Sequence, residues 1–401
     1  MPPHAERVGS DPPVSPARDS LWCTGISSDF NLKYGATACP SNVNPVTVDG
    51  PPAPFQRFLA FLRAHPILCL ALLTPGIPEY LSTSSSILNL GLNPVWFFLQ
   101  LAINVGQYTA GALLIREAVL RWHKGWGTVF LLGLAYGITE EGLGDNTLFN
   151  SNHGADGFLG SFGRFAGVNW VWSTGVLTFH VIYSIGLPIL LLGLALPETR
   201  GKSLIGRRGI VCALLSLVAS TAIETVIVWR AFDFWMGSPL LVGSLLAIAF
   251  LALAAYLVPS DIWRPAKEHP VLSTRAVGTV GFLVFPVIFL LEYLVPFAGV
   301  PAVVVITLEV FFLAVVLEIL RRGVGRTRNE DLLVNLSVGF LLWQCAFGLL
   351  IHIPIFYNVP LVILAVWFCV RLRRRYPASP PSPPAGALGE SSSLSQNHHR
   401  T

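Results

Sequence analysis

The stretch Gly133-Leu134-Ala135-Tyr136-Gly137-Ile138-Thr139-Glu140-Glu141-Gly142-Leu143-Gly144 sets two adjacent carboxylates inside an apolar run with the character of a membrane-spanning helix. At ~100° per residue, Gly133, Gly137, Glu140 and Gly144 fall in one stripe about 60° wide, with Glu141 at its edge. Small residues let a neighbouring helix approach, so the stripe is expected to face protein. A carboxylate in a bilayer costs at least ~2.5 kcal/mol on insertion scales and turns toward a partner, a cavity or a reaction. The chain must therefore fold as a bundle whose interior hides the acids.

The rest of the sequence agrees: 53% of the 401 residues are hydrophobic and 12% charged, which excludes an ordinary water-soluble domain. The expected class is all-α, a polytopic transmembrane helical bundle of about ten spans in the lipid bilayer. Residues 1–54 read as a disordered tail without a signal-type apolar core, 55–375 as the helical domain, and 376–401 as a Pro/Ser-rich disordered tail. Phe55–Arg63 has the pattern of an interfacial helix, and the spans begin near Pro66, Pro94, Gly127, Asn169, Gly209, Pro239, Ala276, Pro301, Leu332 and Tyr357. The first is short and interrupted by Pro75-Gly76-Ile77-Pro78, so it is broken or partly re-entrant. Glu79 and Ser82–Ser86 then mark either a helix end in water or a break lining a cavity.

Charge supplies an internal check on the span count. Between the first and last spans, the loops assigned to the outer side contain Arg164 and Arg230 as their Lys/Arg residues, and the basic clusters fall on the other side. The positive-inside rule then places both termini in the cytoplasm, with the cell (plasma) membrane as the expected location. The net charge of +4 is explained by these loops and carries no nucleic-acid signal. Cys23, Cys39, Cys69, Cys212, Cys345 and Cys369 have no paired metal-ligand spacing and read as inert thiols.

Three intramembrane groups fall at compatible depths. At ~1.5 Å per residue, Glu140 lies roughly 20 Å along the third span, Glu224 roughly 22 Å along the fifth in the same direction, and His180 about 16 Å inward from the outer end of the fourth. Asn169, Ser173, His180 and Ser184 share one face of that fourth helix, which implies an interior contact or wet cavity. Two adjacent carboxylates do not both ionise fully in a dry site, so the pair is expected to hold a proton, with His180 as a third titrating group. Such a set can activate water, carry a proton or bind a cation; the residues leave metal and cofactor open. Glu292 and Glu309 are isolated acids, each expected to meet a polar group on another helix. Glu117 and Glu318, beside Arg116, Arg121, Arg321 and Arg322, are expected to form surface pairs. His352 and Asn358 read as a helix-end hydrogen bond, and Gly144–Val168 as a lid or entrance.

The run Tyr108-Thr109-Ala110-Gly111-Ala112-Leu113-Leu114-Ile115-Arg116-Glu117, with Leu132–Leu143, resembles an uncharacterised bacterial multi-pass membrane protein family, a likeness covering mainly the first four spans. A more distant similarity is to the CAAX-type glutamic intramembrane proteases, which carry a Glu-Glu pair on one span, His on the next, and a later His with Asn or Asp. Glu140 and Glu141 match the pair and His180 the following His, which implies activation of water on a peptide bond. The chain departs from that pattern at Asp145, where the family has Arg, and at Val176, where it has Phe; His352 precedes Asn358 by six positions. Three readings follow: an intramembrane hydrolase with catalytic Glu140, Glu141 and His180, a proton- or cation-coupled transporter using the same acids, or a non-catalytic scaffold subunit.

Overall fold

Proline and glycine fix where the helices of this chain bend, and the bends decide where its polar groups meet. The computed structural model describes residues 54–152, 159–263, 272–324, 330–351 and 357–376. The expected tails, together with Cys23, Cys39, His153, Asp156 and His352, lie outside the described residues. The helices are α1 (Pro54–Ala64), α2 (Pro66–Leu81), α3 (Pro94–Arg121), α4 (Trp126–Gly137, wound on through Ile138–Gly144), α5 (Trp170–Ala195), α6 (Arg207–Phe232), α7 (Ser238–Leu257), α8 (Thr274–Tyr293), α9 (Ala302–Val324), α10 (Glu330–Ile351) and α11 (Val359–Arg375).

The apolar spans read from sequence thus correspond to α2–α11, with ends shifted by a few residues. Among the described residues seven helices, α3 and α5–α10, are long and apolar enough to cross a membrane on their own, or eight if α1 and α2, bent at 96° to each other, count as one. Helix α4 falls behind on hydropathy because Glu140 and Glu141 dilute it, and α11 has 17 residues. The chain is a multi-pass helical membrane protein.

Burial divides the helices into an inner and an outer set. In α5, 67% of the most apolar stretch is buried inside the protein, against 11% in α7, whose Leu246, Phe250 and Leu257 face outward. Such exposed apolar surface suits lipid on α6–α9 and would not suit water. One apolar core joins α2, α5, α8, α10 and α11 around Tyr183, Leu191, Ile288 and Phe340; a second joins α2–α5 around Leu70, Tyr108, Leu113 and Ile189.

Close helix crossings are made by glycines. Gly339 of α10 lies on the Gly278 carbonyl of α8, and Gly281 lies against the Leu336 carbonyl, so neither has space for a methyl group. Gly133 abuts the Val181 backbone and Gly137 abuts Leu177 and His180, as the small-residue stripe on α4 requires.

Four π-helical turns interrupt regular winding among the described residues: Gly76–Leu81 in α2, Val105–Thr109 in α3, Ile138–Gly144 after α4, and His180–Gly186 in α5. Prolines account for two, because Pro75 and Pro78 flank or enter the first and Pro188 follows the last, each lacking an amide donor. The carbonyls freed in α2 are taken up by side chains from later helices: Gln344 Nε2 donates to Ile77 O at 3.2 Å and Asn358 Nδ2 to Leu81 O at 3.2 Å. Such repair is what permits irregular backbone at membrane depth.

One sequence expectation is corrected here. Glu117 is 1% exposed and does not form a surface pair. Its carboxylate accepts from Leu204 N (2.7 Å), Ser203 Oγ (2.5 Å), Arg116 Nη1 (3.3 Å) and Arg121 Nη2 (3.3 Å), clamping the α5–α6 loop onto α3. Arg116 completes the clamp by donating to Thr199 O and Lys202 O. Glu318, in contrast, pairs with Arg321 and Arg322 at the surface as expected.

Candidate functional site

Each π turn carries a side chain of one polar cluster: Glu79 from α2, Tyr108 from α3, Glu140 and Glu141 after α4, and His180 from α5. A widened turn changes the direction of side chains relative to regular 3.6-residue winding, and such turns favour functional sites. Here the effect is concrete. Glu140 and Glu141 would diverge by ~100° on an α-helix, yet His180 Nε2 lies 2.9 Å from Glu140 Oε2 and 2.8 Å from Glu141 Oε1.

The imidazole is aimed by its other nitrogen, Nδ1, which is 3.0 Å from Ser184 Oγ one turn along α5. With the proton on Nε2 facing the carboxylates, Nδ1 accepts from the Ser184 hydroxyl. Glu141 also accepts from the Thr147 hydroxyl, and Thr147 accepts from the Trp172 indole N–H at 3.0 Å. The loop after α4 thus folds inward onto the acid pair. Tyr108 joins the other side: its hydroxyl is 2.9 Å from Glu140 Oε1 and 2.5 Å from Glu79 Oε1. One phenolic hydrogen faces two carboxyl groups, so a second hydrogen on one of them completes the chain of bonds. Glu79 accepts further from Ser85 Oγ at 2.7 Å, and Ser85 accepts from Gln100 and Asn104.

Of the residues singled out in sequence, Glu140, Glu141, His180 and Ser184 meet directly. Glu224 of α6 lines the same cavity, against Gly144, where a methyl would collide with its carboxylate. Asn169 and Ser173 do other work: Asn169 caps α5 by accepting from Trp172 N at 3.1 Å and donates to Leu159 O, while Ser173 donates to the Asn169 carbonyl at 2.5 Å. Sequence reasoning left Glu79 open and did not single out Tyr108, Thr147 or Trp172. The proline-broken first span was the available signal for Glu79; Tyr108 is an aromatic in an apolar run and gave none.

The cluster forms one wall of a cavity of about 650 Å³. Acidic groups from four segments line it, Glu79 of α2, Glu140, Glu141 and Asp145 at the end of α4, Glu224 of α6 and Glu292 of α8, together with the rings of Phe285, Phe289, Trp343 and Phe347. Among the described residues that line it, His180 is the one that can take up a positive charge. Glu140, Glu141 and His180 each offer a metal-ligand atom, all within 4.8 Å of one another. Two carboxylates and an imidazole suit zinc or another first-row divalent ion with a coordination position left toward the cavity. Ligand atoms around such an ion stand about 3.3 Å apart for bonds of ~2.0 Å, so binding would spread the present 2.8 and 2.9 Å contacts slightly.

A family model described as an uncharacterized membrane protein family matches residues 68–372. The chain belongs to that family. The match contains every residue of the cluster and runs from α2 into α11, leaving α1 outside it. No curated protein and no solved structure matches the chain.

Proposed function

We propose that this member of the family is an intramembrane hydrolase that activates water at Glu140, Glu141 and His180. The observation that carries the reading is one imidazole nitrogen held between two carboxylates at the wall of a cavity large enough for a substrate. Water entering from the cavity loses a proton to the acid pair, and its oxygen bonds to the electrophilic centre of the substrate. The bond to the leaving group then breaks and the leaving group takes a proton back from the cluster, so no external oxidant or reductant is needed. Tyr108 and Thr147 fix the two carboxylates, and Ser184 fixes the ring. The distant likeness to glutamic intramembrane proteases supports the reaction type; the apolar half of the cavity supports an amphipathic substrate.

The ten-span topology, with both termini cytoplasmic in the plasma membrane, belongs to the same proposal and rests on the loop charges. A second reading, cation or proton transport, is favoured by the surplus of acids in the cavity wall. The test compares membrane lipids and peptides by mass spectrometry from cells expressing the wild type, Glu141→Gln or His180→Ala at equal levels. A hydrolysis product that appears with the wild type and is lost in both variants is expected. Identical profiles in all three would end the hydrolase reading, and a Glu141-dependent proton flux in proteoliposomes would move the same residues to transport.

A further inference from the structure

Glu292 of α8 lines the same cavity as the water-activating cluster, and one of its carboxylate oxygens is left without a hydrogen-bond partner. It is 5% exposed, its Oε1 has no hydrogen-bond partner, and its carboxylate rests against Gly175 of α5, where even a methyl would not fit. On α9, which packs against both α8 and α5, Glu309 is fully buried, and neither of its carboxylate oxygens has a partner. Sequence reasoning expected each acid to meet a polar group on a neighbouring helix; among the described residues none reaches Glu292 Oε1 or either Glu309 oxygen. A buried carboxylate with an oxygen left unpaired is costly, and the cost falls when a cation arrives.

Aromatic rings line the cavity together with Glu292. Phe289 and Tyr293, on the same face of α8, stack with ring centroids 4.3 Å apart; Phe347 of α10 meets Phe289 edge-on at 6.0 Å and Trp343 lies 5.8 Å from Phe347. All four rings line the cavity. Aromatic faces attract a desolvated cation through the ring quadrupole, and they accommodate one wrapped in alkyl or aryl groups that cannot hydrogen-bond. Among the described residues no Lys or Arg lines the cavity to receive an anion, and the other acids would repel one.

We propose that the cavity takes a lipophilic cation, an amine or quaternary ammonium with an apolar body, whose charge is held at Glu292 between the Phe289, Tyr293, Trp343 and Phe347 rings. This names the substrate class of the site proposed above and rests on that reading for what happens after binding, whereas binding is measurable without it.

The experiment uses the full chain in lipid nanodiscs, with empty nanodiscs as the partition control, and two probes of equal size and opposite charge, tetraphenylphosphonium and tetraphenylborate. Saturable phosphonium binding is expected, with no saturable borate binding, displacement by dodecyltrimethylammonium, and at least about tenfold weaker binding in Glu292→Gln. Phe347→Leu, which keeps an apolar side chain at that position, provides a second variant and is expected to weaken phosphonium binding severalfold. Equal affinity for both probes, or unchanged phosphonium binding in folded Glu292→Gln and Phe347→Leu, overturns the inference. If the phosphonium binds as described and no hydrolysis product is found in cells, the hydrolase reading fails and this one stands.

Discussion

Glu117 offers a quantitative test of how the fold is held, independent of activity. Replacing it by Ala removes the acceptor for the Leu204 amide and the Ser203 hydroxyl and the counter-charge for Arg116, which is 7% exposed. Removing one partner of a buried ion pair costs about 3–5 kcal/mol. The lower end applies here, since Arg116 still donates to Thr199 O at 2.5 Å and Lys202 O at 2.8 Å and is not left unpartnered. Arg121 adds little, because its side chain is 38% exposed. The expected loss is therefore about 3 kcal/mol, a shift of more than a hundredfold in the folded-to-unfolded ratio. It is to be read from denaturant titration of the protein in mixed micelles, with Glu318→Gln at the exposed pair as the control, expected within about 1 kcal/mol of wild type. The double variant Arg116→Met/Glu117→Met should cost at least about 1 kcal/mol less than the two single substitutions added together. Additive losses, or a Glu117→Ala effect no larger than the control, would refute the clamp.

Two further outcomes follow from packing. Gly339→Val places a branched side chain onto the Gly278 carbonyl at the α8–α10 crossing, where backbone cannot give way, and should cost at least about 1–3 kcal/mol in the same titration. Gln344→Leu leaves the Ile77 carbonyl in the α2 π turn without its donor and should cost about 1–3 kcal/mol, with increased hydrogen exchange confined to Ile77–Leu81; unchanged exchange there would contradict the repair role.

Hydropathy marked the helices because each must present ~20 apolar residues to the hydrocarbon, and the glycine stripe on α4 revealed its contact with α5 through size alone. The site was partly legible for a similar reason: an acid pair in an apolar run has few places to go. What regular periodicity does not express is a change of phase. A π turn lets Glu140 and Glu141 converge on one nitrogen, and another brings Tyr108 between Glu79 and Glu140. Asn169 and Ser173 share a helical face with His180, but sit in the first turn of α5, where free backbone groups compete for them. Glu117 misled because its neighbours in sequence are basic, while the loop that buries it returns from some 85 positions later.

The right-angled joint between α1 and α2 leaves α2 to cover the depth of the bundle by itself. Helix α2 runs for the 16 residues Pro66–Leu81, or about 24 Å at most, which is shorter than a hydrocarbon slab of about 30 Å. The hydroxyl-rich turn Ser82–Ser86 that follows is folded into the protein, with Ser82, Thr83 and Ser85 buried, so the polar end of a short helix is stored inside the bundle beside Glu79.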